Sequence, residues 1–472
     1  MNIQAYINGE WFEEPSAEQL PIYNPAEAKV YAQLPIASAN TVDAAYAAAT
    51  AAFPMWSRLE ASERGAWMRK LADGIESRFE EFVAAESRDS GKPLHVSRTV
   101  DIPRAMTNLR FFADAATQFA SESHSALGGS VNYTLRHPLG PVACISPWNL
   151  PLYLFTWKIA PALAVGNTVV AKPSEVTPVT AHLLAEVAHE IGFPKGVLNI
   201  VHGTGLPTGE AIVNHPDVKA VSFTGGTSTG IQIAQNLAPR LIKYSLELGG
   251  KNPVLVFPDA DINAAVKMTS RSSFANSGQI CLCGSRVYVH SSIYDTFRDR
   301  LVASAKTLTV GPPKGESRMG PLVSGPHREK VAAYVDQART DGATIHVGGT
   351  ELPTEGYYYP PTIIEGLGQK HACFQEEIFG PVVTLHSFQT EEEALALAND
   401  TNYGLAAMVW SQDIKRCMRM SVGLNAGIVW INTWLNRDLR TPFGGMNQSG
   451  FGREGGQEPM RFFTNVKNVC IG

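Results

Sequence analysis

The chain has 472 residues, 44% apolar and 18% charged, and carries a net charge of −5 from 39 basic and 44 acidic side chains. That length exceeds what one ordinary core serves, so more than one domain is expected. The near balance of charge, with no basic block or acidic tail, argues against nucleic acid or an anionic membrane as the main partner.

In chain order, the start "MNIQAYINGEWFEEP" has neither a basic beginning nor an apolar h-region, so no secretory signal is visible. The first hundred residues read as helical: Leu71, Ile75, Phe79 and Phe82 or Val83 recur at helical spacing, and Ser90, Gly91, Lys92 and Pro93 close the run. "GGSVNYTLRHPLGP" alternates with period 2 and reads as a strand pair apart from any larger sheet. From about residue 140, short apolar strands alternate with amphipathic helices: "PVACIS", "NTVVAKPS", "GVLNIVHG", "VKAVSFTGG" and "IKYSLEL" are the strands. That rhythm predicts a parallel sheet covered on both faces. The segment 148–165 is interrupted by Asn149, Lys158 and two prolines, so it is not expected to span a membrane.

A second α/β region begins at "NPVLVFPDAD" and runs through a helix near 293–308, "GATIHVGG", "EEEALALAND" and "AGIVWIN", which places a boundary close to Gly249 and Gly250. The terminal "FFTNVKNVCIG" reads as a strand in need of an edge, which a neighbouring subunit could provide. Six cysteines at this length make no disulfide framework, and a reducing cytoplasm is the default. Cys144, Cys373, Cys417 and Cys470 are expected to be small buried hydrophobes.

Several stretches carry chemistry. "FTGGTSTG" follows a strand and opens a helix, where glycines permit close backbone approach and the helix N-terminus favours an anion; a plain tight turn is the competing reading. Lys172 and Glu175 in "AKPSE" lie just past a strand end, where open α/β sheets bind ligands, and surface charge is the alternative. Glu247 stands between Leu246 and Leu248 before a diglycine, a setting that raises a carboxylate's pKa and suits a general base. Asn149 in "SPWNLP" offers an amide N–H for an oxyanion, or is simply a turn residue. In "GQICLCGSR", Cys281 and Cys283 supply two ligands where a metal site needs three or four, so no metal is expected. They also stand too close for a relaxed disulfide. Nucleophilic attack by one of the two remains.

Together these motifs resemble the NAD(P)-dependent aldehyde dehydrogenase superfamily, from "YINGEW" near the start to "PFGGMNQSGFGREGG" near the end. The most specific matches are "LELGGKNP" with the family glutamate at Glu247, and "FANSGQICLCGSR" with the family cysteine two residues after Gln279. The resemblance therefore implies Cys281 as nucleophile, Asn149 with the Cys281 backbone N–H as oxyanion donors, and Glu247 as the base that hydrolyses a thioester. Relatives that use coenzyme A instead lack that glutamate. It implies NAD as cofactor, with Lys172 and Glu175 at the adenosine ribose, where Glu175 repels a 2′-phosphate. Ile145, Trp148, Phe223, Gly225, Gly226 and Leu248 are implied along the dinucleotide, and Glu377 and Phe379 at its nicotinamide half. Gly226 departs from the pattern, standing where many relatives have Ser.

The implied fold is α/β: a Rossmann-type parallel-sheet cofactor domain (1–119 and 140–249), a second α/β catalytic domain (250–445) and a small β oligomerisation segment (120–139 and 446–472). A homodimer or homotetramer follows from the last. Two tunnel positions that are usually apolar in relatives hold Arg104 and Arg437 here, with Arg440 and Arg110 as competitors for their roles. Paired guanidiniums suit a carboxylate at the far end of the substrate. With "NTWLNRDLRTPFGGM", they resemble the branch of the family that oxidises 2-hydroxymuconic or 2-aminomuconic semialdehyde. The alternatives are a salt bridge of either Arg with Asp101 or Asp438, a broad aliphatic, aromatic or betaine aldehyde dehydrogenase, or a non-catalytic structural relative.

Overall fold

The computed structural model describes residues 2–13, 18–352 and 354–472. Its first sheet has five parallel strands in the spatial order Lys243–Glu247, Ala220–Thr224, Pro141–Ile145, Thr168–Lys172, Leu198–Ile200. The chain starts in the middle at Pro141–Ile145, winds outward one way for two strands, then crosses to the other side. The switch in direction between Pro141–Ile145 and Ala220–Thr224 opens a crevice at the strand C-termini, the place where doubly wound sheets take ligands. Every residue of the two central strands Pro141–Ile145 and Thr168–Lys172 is buried, as expected when helices cover both faces.

The amino-terminal region corrects one expectation. Before the first helix at Ala39–Trp56, the chain forms strands Ala5–Ile7 and Glu10–Phe12, which extend the first sheet, and the hairpin Gln19–Asn24 with Lys29–Pro35. The helical run is two helices, Ala61–Ser77 and Phe79–Ser90, broken at Arg78. Gly91 ends the second at φ 75, and a Cβ there would meet Pro321 Cγ at 2.5 Å. Helices Ile102–Ala115 and Pro151–Ala164 pack on each other, and their facing side chains become one wall of the site.

The second sheet orders Thr344–Val347, Thr362–Glu365, Val382–Phe388, Gly284–His290, Asn252–Val256, Ala406–Trp410 and Ile428–Ile431, all parallel except the first pair. Fully buried Arg286 crosses its interior and donates to the carbonyls of Leu397 and Ala398 at 3.1 and 2.7 Å, at the end of helix Glu391–Asn399.

The third sheet is Thr464–Ile471, Val131–Pro138 and Ser123–Ser125. The terminal strand thus finds its edge on its own chain, in register from Thr464 opposite Pro138 to Ile471 opposite Val131. Just before it, Gly450–Phe451 pairs on the edge of the first sheet. Cys144, Cys373 and Cys417 are buried as expected, whereas Cys470 is exposed because it lies on this outer strand.

Candidate active site

At the switch point the strand ends enclose a cavity of ≈ 400 Å³ lined by Ile145, Trp148, Lys172, Glu175, Phe223, Gly225 and Gly226 among others. Lys172 is buried rather than a surface charge: its Nζ donates to its neighbour's carbonyl on Pro173 at 3.1 Å and to Glu175 Oε2 at 3.4 Å, and burial pushes its pKa down. It is the one cation among the residues lining the cavity, against Glu175 and Glu210. Helix Thr227–Leu237 begins at Gly226 with no side-chain cap, so its first N–H groups are left for a ligand. A Cβ on Gly226 would meet nothing within 4 Å, so packing does not require glycine there. At Gly225 it would strike Phe223 Cζ at 2.4 Å.

Trp148, Pro147, Thr224, Gly225 and Gly226 also line a second cavity of ≈ 310 Å³, which contains Cys281, Asn149, Glu247, Leu248, Glu377, Phe379 and Arg437. The two cavities therefore meet at these shared residues.

The turn that carries Cys281 is heavily constrained. Asn276, Ser277 and Gly278 take φ of 50, 56 and 74, three consecutive left-handed residues, and a Cβ on Gly278 would lie 2.1 Å from the Gly380 carbonyl oxygen. Asn252 Nδ2 donates to the carbonyls of Cys281 and Cys283 at 2.7 and 2.8 Å, and Trp434 Nε1 to that of Leu282 at 2.9 Å. So the Asn of "GGKNP" fixes the cysteine turn from the neighbouring strand. Cys283 is buried and burial pushes its thiol to about 12. Cys281 is half-buried and faces the second cavity. Its thiol is pushed up first by burial, then by Glu377 and Glu247, while Arg437 pulls it down.

Asn149 is buried, and its Nδ2 donates to the Gln279 carbonyl at 2.9 Å, which leaves its other N–H for the cavity. The Asn149 backbone carbonyl accepts from Lys92 Nζ at 3.2 Å and Asn276 Nδ2 at 3.1 Å. Glu247 is buried with Oε1 unpartnered among the described residues. Burial, then Glu454, hold its carboxyl well above the usual range, against Lys158, Arg453 and Arg437. Glu377 Oε1 accepts from Gly250 N at 2.8 Å, and burial raises its carboxyl to about 7. A Cβ on Gly249 would sit 2.5 Å from Glu377 Oε2, which is the physical need for the diglycine. Phe379 holds a left-handed φ of 59, its carbonyl accepts from His327 Nε2–H at 2.7 Å, and its ring meets Trp148 edge-on at 5.2 Å.

The arginines sort clearly. Arg440 is drawn outward by Asp438, which accepts from its Nε at 3.0 Å and from its Nη2 at 2.6 Å; it lies on an open outer mouth and does not line the Cys281 cavity. Arg110 is taken by Asp73 and Glu76. Asp101 is taken by Lys92 at 2.8 Å, so neither acid anticipated for Arg104 or Arg437 binds them. No ion pair involving Arg104 or Arg437 is found among the described residues. Arg437 lines both the inner cavity and the mouth, and Arg104 the mouth.

Three groups escaped the sequence reading. Lys158 and Glu454 form a buried pair at 2.7 Å beside Glu247. Lys92, read as a helix stop, is a buried cation bridging Asp101 and the Asn149 turn. Tyr153, four residues after Asn149, hydrogen-bonds Arg437. A lone Lys inside an otherwise apolar helix was the available signal for Lys158.

Comparison with known proteins agrees with this geometry. The model of the "Aldehyde dehydrogenase family" matches residues 11–469. A 2-aminomuconic semialdehyde dehydrogenase of Danio rerio is 48% identical, covering 99% of this chain and 98% of its own. A 2-hydroxymuconic semialdehyde dehydrogenase of Pseudomonas sp. (strain CF600) is 46% identical over 99% of each. The NAD+ complex of an aldehyde dehydrogenase from Bacillus cereus superposes with a TM-score of 0.98 at 39% identity, covering 100% of this chain and 97% of that one. With the cysteine, carboxylate and amide gathered in one cavity beside a doubly wound sheet, the chain belongs to the aldehyde dehydrogenase family.

Proposed function

We propose that the protein is an NAD-dependent, hydrolytic dehydrogenase of a carboxylated semialdehyde, of the 2-hydroxymuconic or 2-aminomuconic 6-semialdehyde type. The observation that carries the substrate is the pair Arg104 and Arg437, two guanidiniums free of carboxylate partners at the outer end of an apolar passage to Cys281. A substrate with an aldehyde at one end and a carboxylate at the other spans that passage.

The residues fit a dinucleotide at the switch point: uncapped helix N–H groups for a pyrophosphate, and Glu175 for a ribose diol. Lys172, the one cation among the described lining residues, is already held by Glu175 and Pro173, which leaves no free cation there for a 2′-phosphate and favours NAD. When bound, NAD supplies the hydride acceptor. Cys281 Sγ, as thiolate, attacks the aldehyde carbon, and the oxygen that takes the electron pair is received by the free N–H of Asn149 and the Cys281 backbone N–H. Once the carbon stands at the thioester level, Glu247 takes a proton from water, the water oxygen bonds to carbon, and the Cys281 thiolate leaves.

The first sheet is read as the cofactor domain, the second as the catalytic domain, and the three-stranded sheet as the oligomerisation segment. The outer strand Thr464–Ile471 exposes Val466 and Ile471, which supports addition of a second copy there. All six cysteines are free and no helix among the described residues is long and apolar enough to cross a membrane, which supports a cytoplasmic enzyme.

Steady-state NADH formation tests the substrate. Removing a desolvated charge partner costs on the order of 2 kcal/mol or more, so Arg437→Ala and Arg104→Ala should each lower kcat/KM for 2-hydroxymuconic semialdehyde about 30-fold. Benzaldehyde should lose far less. A wild type that prefers benzaldehyde, with Arg variants that change nothing, would leave the broad-specificity reading in its place.

A further inference from the structure

Two guanidiniums placed side by side repel, and burial with Arg437 nearby already weakens the hold of Arg104 on its proton. No carboxylate among the described residues forms an ion pair with either; Asp438 pulls on Arg104 from the mouth without bonding to it. Tyr153 touches both. Its hydroxyl accepts from Arg437 Nη1 at 3.1 Å, and its ring lies beneath Arg104, 5.3 Å from Cζ to centroid. We propose that Tyr153 positions both guanidiniums and thereby sets the preference for a carboxylated aldehyde, an inference that rests on the clamp reading above.

The rest of the cradle is equally uncharged. Trp157 lies under both cations, 5.6 Å from Arg104 and 5.7 Å from Arg437, and Phe443 is 4.0 Å from Arg437. Asn108 Oδ1 accepts from Arg104 Nε at 3.2 Å, while its Nδ2 donates to the Tyr153 carbonyl at 3.0 Å. Helices Ile102–Ala115 and Pro151–Ala164 thus lock Arg104 and Tyr153 in one geometry. Aromatic faces and a phenol oxygen orient a cation without neutralising it. A carboxylate doing the same work would cancel the charge the substrate needs. Arg104 Nη2 is buried without a partner among the described residues, a donor left for an anion. Tyr153 lines the Cys281 cavity together with Arg437, so the phenol stands on the same passage as the reacting thiol. A Leu in its place would supply neither the acceptor nor the ring.

Kinetics of the intact enzyme with NAD, comparing 2-hydroxymuconic semialdehyde with benzaldehyde, decide the matter. Tyr153→Phe keeps the ring and deletes the acceptor. It should raise KM for the carboxylated substrate about tenfold, with kcat at saturation within about twofold. Tyr153→Leu, which also removes the ring under Arg104, should raise KM further, so that the preference over benzaldehyde falls by about 50-fold. Unchanged KM in Tyr153→Phe, with Arg437→Ala strongly impaired, would overturn the role of Tyr153 and leave the clamp standing. If neither Arg variant affects the carboxylated substrate, the clamp reading falls and this inference with it. Equal losses of kcat on both substrates would make Tyr153 a support of the Asn149 turn instead, and would overturn its role in specificity.

Discussion

The two cavities that meet at Trp148 are built in opposite ways. The cofactor side is made from strand ends, glycines and the open N-terminus of helix Thr227–Leu237, so backbone N–H groups face it, and the one cation among its described lining residues is satisfied internally. The Cys281 side is made from side chains: an amide, two raised carboxyls, a thiol and a guanidinium, converging from four loops and the end of strand Lys243–Glu247. A backbone-built cavity can serve many members of a family unchanged. A side-chain-built one changes its substrate with a few substitutions, and on the clamp reading proposed above those positions are Arg104, Tyr153 and Arg437.

The largest test of this division asks where the chemistry sits. Cys281→Ala should lower NADH formation by at least about 1000-fold, while Cys283→Ala, whose residue is buried and does not line the Cys281 cavity, should stay within about twofold of wild type. The reverse result would move the reaction out of the place where the cavities meet. Next is Glu247→Gln, which should slow thioester hydrolysis about 100-fold or more yet retain a first-turnover burst of NADH. Because burial and Glu454 raise the Glu247 carboxyl, the base form is gained as pH rises, and wild-type turnover should climb with pH through a raised apparent pKa. The linked stability has the opposite sign. A carboxyl raised in the folded state favours folding at low pH and loses that contribution as pH rises through its folded pKa. Glu247→Gln should therefore gain melting temperature relative to wild type as pH increases. A constant difference across pH would mean that Glu247 is not the raised group.

The same division explains what could be read from sequence. The α/β fold was legible because strands such as Pro141–Ile145 are buried on both faces and read as unbroken apolar runs between helices. Cys281, Glu247 and Asn149 were nominated from local motifs, and the fold gathers them in one cavity. Lys158 with Glu454, separated by 296 positions, and Lys92 with Asn149 are tertiary pairings that no local spacing announces. The early strands were missed because Ala5–Ile7 and Glu10–Phe12 are three residues each, too short to show period 2. Arg440 was indistinguishable from Arg437 in the string "NRDLR"; only the geometry of Asp438 separates them.

That separation carries the smallest and most discriminating test. Asp438 stands at the mouth beside Arg437, and its carboxyl is held near about 2 first by the side chain of Arg440 and then by its backbone N–H, with a lesser pull from Arg104. Arg440 thus holds the acid at the mouth, which would otherwise compete for the proposed clamp. Arg440→Ala should release Asp438 toward Arg104 and Arg437 and raise KM for the carboxylated semialdehyde by about two- to fivefold, because exposed ion pairs are weak. High salt should shrink the effect. Adding Asp438→Asn to that variant should restore KM, since the competing charge is gone. If KM stays at the wild-type value in Arg440→Ala, Asp438 does not reach the clamp. If the double variant remains impaired, Arg440 attracts the substrate directly, and the mouth as well as the inner passage selects for charge.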